Sequence, residues 1–149
     1  PFLHFGHIFV VMGLLLQGGK RGAVSGTLGL TIFDLLNGYI QDAPKTFVET
    51  AVKCLIVGAI FMVLKKKADG DKKKEYGAAV ICAVIYGCIN IVLEFFMGML
   101  AMVMVGSGVK AAAVAAFTSL PATVINAVFM MVAIAILYEP VKRVYVRMA

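Results

Sequence analysis

Two stretches in the second half of the chain, residues 76–105 and 111–138, run for close to thirty residues each and are almost free of charge. A helix of about 20 consecutive apolar residues crosses the hydrocarbon core of a bilayer, so stretches of this length place the chain in a membrane. A soluble domain of 149 residues would have roughly 25% charged residues; this chain has 15% and is 62% hydrophobic. Its charges are gathered between apolar segments, which marks three more at residues 3–17, 22–39 and 44–64. The expected fold is an all-α integral membrane protein. It is a single domain over residues 1–149, a compact bundle of five transmembrane helices in this chain. The last two segments exceed what a crossing needs and should tilt, kink or project. Pro121, inside the fifth, should bend it.

The loop KKKADGDKKK at 65–74 holds six lysines and should face the cytoplasm, since short basic loops stay inside. That choice orients every other segment. Lys20 and Arg21 fall on the same side, as do Lys142, Arg143 and Arg147 with the C-terminus, so eleven of the fourteen basic residues lie together. The first residue is Pro, and the first segment then enters from outside. The expectation is therefore a missing first helix, giving six spans with both ends in the cytoplasm. The net charge of +6 is a topology signal rather than a nucleic-acid surface, because it forms no amphipathic stripe. Cys54, Cys82 and Cys88 sit within apolar segments and read as small buried hydrophobes.

Polar residues are distributed unevenly along these spans. Asp34, Asn37, Glu49, Lys53, Asn90, Glu94, Thr118, Ser119, Thr123 and Asn126 all fall in the outer halves, while the inner halves are nearly pure hydrocarbon. An ionisable group facing lipid costs about 2.5–3.5 kcal/mol, so such groups turn inward toward partners or a watery cavity. Two readings stay open for each. Glu49 and Lys53, spaced i,i+4, form an internal pair or the floor of a site. Asn90 and Glu94 are interhelical glue or ligand contacts. The hydroxyls near Pro121 bond to their own helix or to a ligand. The shared bias to one leaflet favours an outward-facing pocket for a small polar molecule. Asp42 and Lys45 fall in the exterior loop, in water.

Gly22, Gly26 and Gly29, and the alanines around Ala112 and Ala116, are small-residue faces suited to close packing, inside the bundle or against a partner subunit. His4 and His7 lie i,i+3 at the outer mouth and are too few for a metal site. No P-loop, zinc-protease or nucleophile-elbow motif is present, so no catalytic residue is assigned and the chain does not hydrolyse ATP itself.

The order H-F-G-H-I-F-V-V-M-G-L-L-L at 4–16, G-K-R-G-A-V-S-G-T-L-G-L-T-I-F-D-L-L-N-G-Y at 19–39 and A-P-K-T-F-V-E-T-A-V-K at 43–53 resembles the S component of an energy-coupling factor (ECF) vitamin transporter. The likeness is strongest over residues 4–64 and rests on topology and length beyond them. It implies the substrate-binding subunit of an ECF-type ABC importer in a bacterial or archaeal cell membrane, multi-pass, with its C-terminus cytoplasmic. The partners implied are a transmembrane coupling subunit, two ATPase subunits and the lipid bilayer, with no nucleic acid, cofactor or metal. The loop 37–45 and residues 2–7 would form the lid, with Phe2, His4, His7 and Gln41 at its opening. Asn37, Tyr39, Glu49, Lys53, Asn90, Glu94, Ser119 and Asn126 would contact the ligand, and Phe47, Phe95, Phe96 or Tyr39 would stack on its ring. Gly22, Gly26, Gly29, Ala112 and Ala116 would dock the coupling subunit. Asn90 and Glu94 would suit a pyrimidine or pyridine vitamin. The competing functions are a ligand-free membrane partner protein and a small membrane enzyme.

Overall fold

A computed structural model describes residues 5–148, and all regular structure among them is helical. The helices are α1 (Gly6–Gln17), α2 (Gly19–Leu36), α3 (Ala43–Ala68), α4 (Lys72–Met104) and α5 (Val109–Met148). Three of them, α3, α4 and α5, are long and apolar enough to cross a membrane. The first two expected segments are helices as well, but they fall outside that class. At 1.5 Å per residue, the 12 residues of α1 reach only about 18 Å. The α2 sequence is diluted by glycine, threonine and the Lys20–Arg21 pair.

The lysine-rich segment is mostly helix rather than the short loop its sequence suggests. The α3 helix continues through Lys65, Lys66 and Lys67, whose ammonium groups complement the negative end of its dipole. The turn is only Asp69–Asp71, with Asp69 left-handed at φ 47° and Gly70 at φ 79°. Lys72–Lys74 then open α4, where cations oppose the dipole. Asp71 offsets this as an N-cap, accepting from the amides of Lys73 and Lys74 at 2.9 and 3.3 Å. The α5 helix runs on through Pro121 and Pro140 to Met148, so the long fifth segment projects at the lysine-bearing end rather than ending at Tyr138.

The centre of the bundle is α1. It packs against each of the other four helices, while α2, α3, α4 and α5 pack successively around it in an arc. In that arc α2 does not reach α4 or α5, and α3 does not reach α5. A helix apolar on every side is a core helix. Accordingly Val11, Leu14 and Leu15 are almost wholly buried, despite the short length of α1. The outer surfaces of the arc instead expose Leu55, Val114, Phe117 and Ile136, as a lipid-facing wall would.

Packing among apolar helices in lipid depends on close approach, because lipid tails are as apolar as the side chains. Gly18, at φ 81°, turns the chain from α1 into α2. A Cβ at Gly22 would collide with the Cα of Leu14 and sit 2.8 Å from the Gly13 carbonyl oxygen; one at Gly26 would sit 2.9 Å from Val10 Cγ1. Both glycines are therefore taken up by α1. At the lysine-bearing end, Glu75 of α4 accepts from Lys142 (2.6 Å) and Tyr138 (3.3 Å) of α5 and faces Lys65 of α3 at 3.3 Å. One carboxylate ties three helix ends.

Candidate functional site

The opposite end of the bundle holds a cavity of about 780 Å³, partly open to solvent. Its floor and one wall come from α3, through Lys45, Thr46, Glu49, Thr50 and Lys53. Residues 45, 49 and 53 are spaced i, i+4, i+8 and so stand above one another on one helix face. Facing them are Leu30, Phe33 and Asp34 of α2, then Asn37, Tyr39 and Asp42 of the connecting loop. α1 begins at Gly6, and Phe5, His7 and Phe9 line the cavity from its upper end. Glu94 of α4 closes the remaining side.

The charges form an alternating string. Lys45 Nζ donates to Glu94 Oε1 at 2.6 Å and lies 3.7 Å from Glu49 Oε1. Lys53 Nζ donates to Asn90 Oδ1 at 2.7 Å, lies 3.6 Å from Glu49 Oε2 and sits 5.6 Å from the centre of the Tyr86 ring. Tyr86 is itself buried, with its hydroxyl 3.3 Å from His7 Nδ1. Glu49 is 4% exposed and Lys53 1%, depths at which unpaired charge would be severely penalised. Pairing is nevertheless incomplete in hydrogen-bonding terms. Glu49 Oε1 and the hydroxyl of the fully buried Thr50 have no hydrogen-bond partner in the protein. Nearly all buried polar atoms have one, so two such atoms on consecutive residues of a cavity wall are exceptional.

Of the residues marked in the sequence, Asn37, Tyr39, Glu49, Lys53, Glu94 and His7 line the cavity. Asn90 stands behind the wall, 5% exposed, holding Lys53. The α5 residues are not brought to the cavity. Ser119 Oγ donates to Ala116 O at 2.8 Å, and Asn126 Nδ2 to Ala122 O at 3.1 Å. Thr118 and Thr123 likewise bond to carbonyls of their own helix. Phe47 is 45% exposed on the outer face of α3, and Phe95 and Phe96 pack edge to face on each other away from the lining, as Gln41 also stands outside it. Phe2 and His4 lie outside the described residues. For the small-residue faces, Gly22 and Gly26 pack on α1, and Ala112 and Ala116 are buried; Gly29 alone of the five has open space where a Cβ would go.

Lys45 corrects the sequence reading, which left it in water: its side chain is 21% exposed and ion-paired. The signal was present in the sequence, since Lys45, Glu49 and Lys53 share one i,i+4 register. Thr50, Asp34 and the ring faces of Phe5, Phe9 and Phe33 were not singled out as ligand contacts. Nothing in a single sequence separates such a buried threonine from others in the same spans. Among the described residues no three His, Cys, Asp or Glu side chains gather as a metal set.

An all-helical body with an apolar exterior, three helices of membrane-crossing length and a polar, aromatic-edged cavity at one end is the form of a membrane protein that binds a small molecule. The chain matches the family described as ECF-type riboflavin transporter, S component, over residues 1–143, and it belongs to that family. It is thus a membrane protein of vitamin uptake, from a family of transporters rather than enzymes. No curated protein and no solved structure matches the chain.

Proposed function

We propose that the chain is the high-affinity riboflavin-binding subunit of an ECF importer, capturing the vitamin outside the cell for ATP-driven uptake. The observation that carries this reading, beside the family, is the cavity with its two buried polar atoms, Glu49 Oε1 and Thr50 Oγ1, left without partners in the protein. Its volume of about 780 Å³ is that of a small-molecule site. Phe5, Phe9, Phe33 and Tyr39 offer aromatic faces to a flat ring, and the Lys45–Glu49–Lys53 wall offers hydrogen bonds to its polar edge. Riboflavin, named by the family, takes the place of the smaller pyrimidine or pyridine ligand expected from Asn90 and Glu94. Asn90 is engaged by Lys53 and contributes through it.

In this reading the lysine-bearing helix ends and the C-terminus face the cytoplasm of a bacterial or archaeal cell, as short basic segments do. The cavity then opens outward. A transmembrane coupling subunit and two ATPase subunits supply the energy, and Gly29 keeps room for a neighbouring helix on α2. Titration of riboflavin into the purified full-length protein in lipid nanodiscs, followed by quenching of flavin fluorescence, tests the reading. Saturable binding at submicromolar concentration is expected, with uptake into vesicles only when the coupling module is added. Absence of binding across a vitamin panel would leave a ligand-free membrane partner as the function.

A further inference from the structure

The α3 wall presents its hydrogen-bonding groups in a fixed order. Lys45 and Lys53 each carry three N–H donors. Lys45 uses one on Glu94 and Lys53 one on Asn90. Their approaches to Glu49, at 3.7 and 3.6 Å, satisfy charge but are longer than hydrogen bonds. Each ammonium therefore keeps donors to spare, and Glu49 Oε1 between them keeps an acceptor. Read along the helix face, the wall is donor, acceptor, donor.

We propose that this string reads the imide edge of the bound flavin, which presents carbonyl, N–H, carbonyl, that is acceptor, donor, acceptor. Glu49 accepts the imide N–H, and Lys45 and Lys53 donate to the two flanking carbonyls. This rests on the riboflavin reading of the cavity and adds which end of the ligand meets α3. A hydroxyl chain does not demand this order, because a hydroxyl serves as donor or acceptor at any place. An imide has its three groups in one plane and one order, and that order is the complement of the wall's. The carboxylate gives the selectivity. A ligand edge without a donor leaves Glu49 Oε1 unpaired inside a desolvated cavity, and an unmade hydrogen bond to a buried charged group is more costly than a missing contact.

The decisive comparison uses riboflavin and its N3-methyl derivative, which differ only at the imide N–H, with the full-length protein in nanodiscs. N3-methylation should raise the wild-type Kd by about tenfold or more, the effect of losing one hydrogen bond to a charged group. In Glu49→Ala, which removes the acceptor and opens space for the methyl group, the two ligands should bind within about twofold of each other. Equal binding of the two ligands to the wild type would overturn the imide assignment while leaving riboflavin binding intact. So would discrimination that persists in Glu49→Ala. If that variant does not fold, the wild-type comparison decides alone. Failure of riboflavin itself to bind the wild type would overturn both the assignment and the function on which it rests.

Discussion

Lys45 Nζ stands 2.6 Å from Glu94 Oε1, joining the first turn of α3 to the far half of α4 across the edge of the cavity. The pair sits above a deeper one, since Lys53 at the cavity floor is held by Asn90, one turn before Glu94 on the same helix. Two parallel crosslinks thus hold α3 against α4 along the cavity wall, one near solvent and one in the interior. They differ in burial, and that difference separates their expected effects.

The outer crosslink should matter more to ligand retention than to folding. Its side chains are 21% and 33% exposed, and ion pairs of that kind contribute about 1 kcal/mol or less. Glu94→Gln is expected to lower unfolding stability by no more than about that amount while releasing bound riboflavin severalfold faster, because Lys45 loses the charge that holds it although an amide oxygen can still accept from it. Thermal melts and stopped-flow release measure the two. A loss of several kcal/mol would instead make the pair a folding element.

The inner crosslink should behave oppositely. Lys53→Met leaves the Glu49 carboxylate, 4% exposed, with only Lys45 at 3.7 Å as counter-charge, and breaking a buried pair costs up to about 3–5 kcal/mol. The double variant Lys53→Met with Glu49→Gln should recover at least half of that loss, since no buried charge is left uncompensated. Denaturant unfolding of the four proteins in the cycle gives the coupling directly. Strictly additive losses would contradict the pairing.

Thr50→Val isolates the unpartnered hydroxyl. The substitution keeps the shape of a fully buried side chain and removes an oxygen without a hydrogen-bond partner in the protein. Leaving such a group unsatisfied costs about 1–3 kcal/mol, so the ligand-free variant should melt at or above the wild-type temperature. Riboflavin affinity should fall in the same protein. A lower melting temperature without ligand would refute this account of Thr50.

The glycines of α2 should divide by what lies beside them. At Gly22 a methyl group meets the α1 backbone, which cannot yield as a side-chain tip can, and Gly22→Ala is expected to cost about 1–3 kcal/mol. Gly29 has nothing within 4 Å of a Cβ, and Gly29→Ala should be neutral or stabilise α2 by up to about 1 kcal/mol. Comparison of the two melts settles whether the small-residue face is internal packing at its α1 end.

Much of this was legible in the chain itself. The length of the apolar stretches and the clustering of lysines and arginines specify helices and the two chemically distinct ends, because both depend on local composition. The concentration of polar residues away from the lysine-bearing end is also a sequence property, and it points to the end of the bundle where the cavity lies. Glu49 and Lys53 stood out because charge is costly among apolar neighbours wherever the helix sits.

Only the tertiary structure decided which of those polar groups meet. Position along the chain gives depth on a helix axis but not the direction a side chain faces, and that rotation is set by packing against neighbours. Ser119 and Asn126 fall by their place in the sequence in the same outer half as Glu94, yet on α5 they bond to their own helix's carbonyls. Gly22 and Gly26 suit a foreign helix as well as α1, until the tight turn at Gly18 brings α1 onto them. Thr50 became a candidate contact only when it proved to be wholly buried at a cavity wall with no partner. The cavity draws its lining from α1, α2, the loop after it, α3 and α4, and that juxtaposition is a property of the assembled bundle.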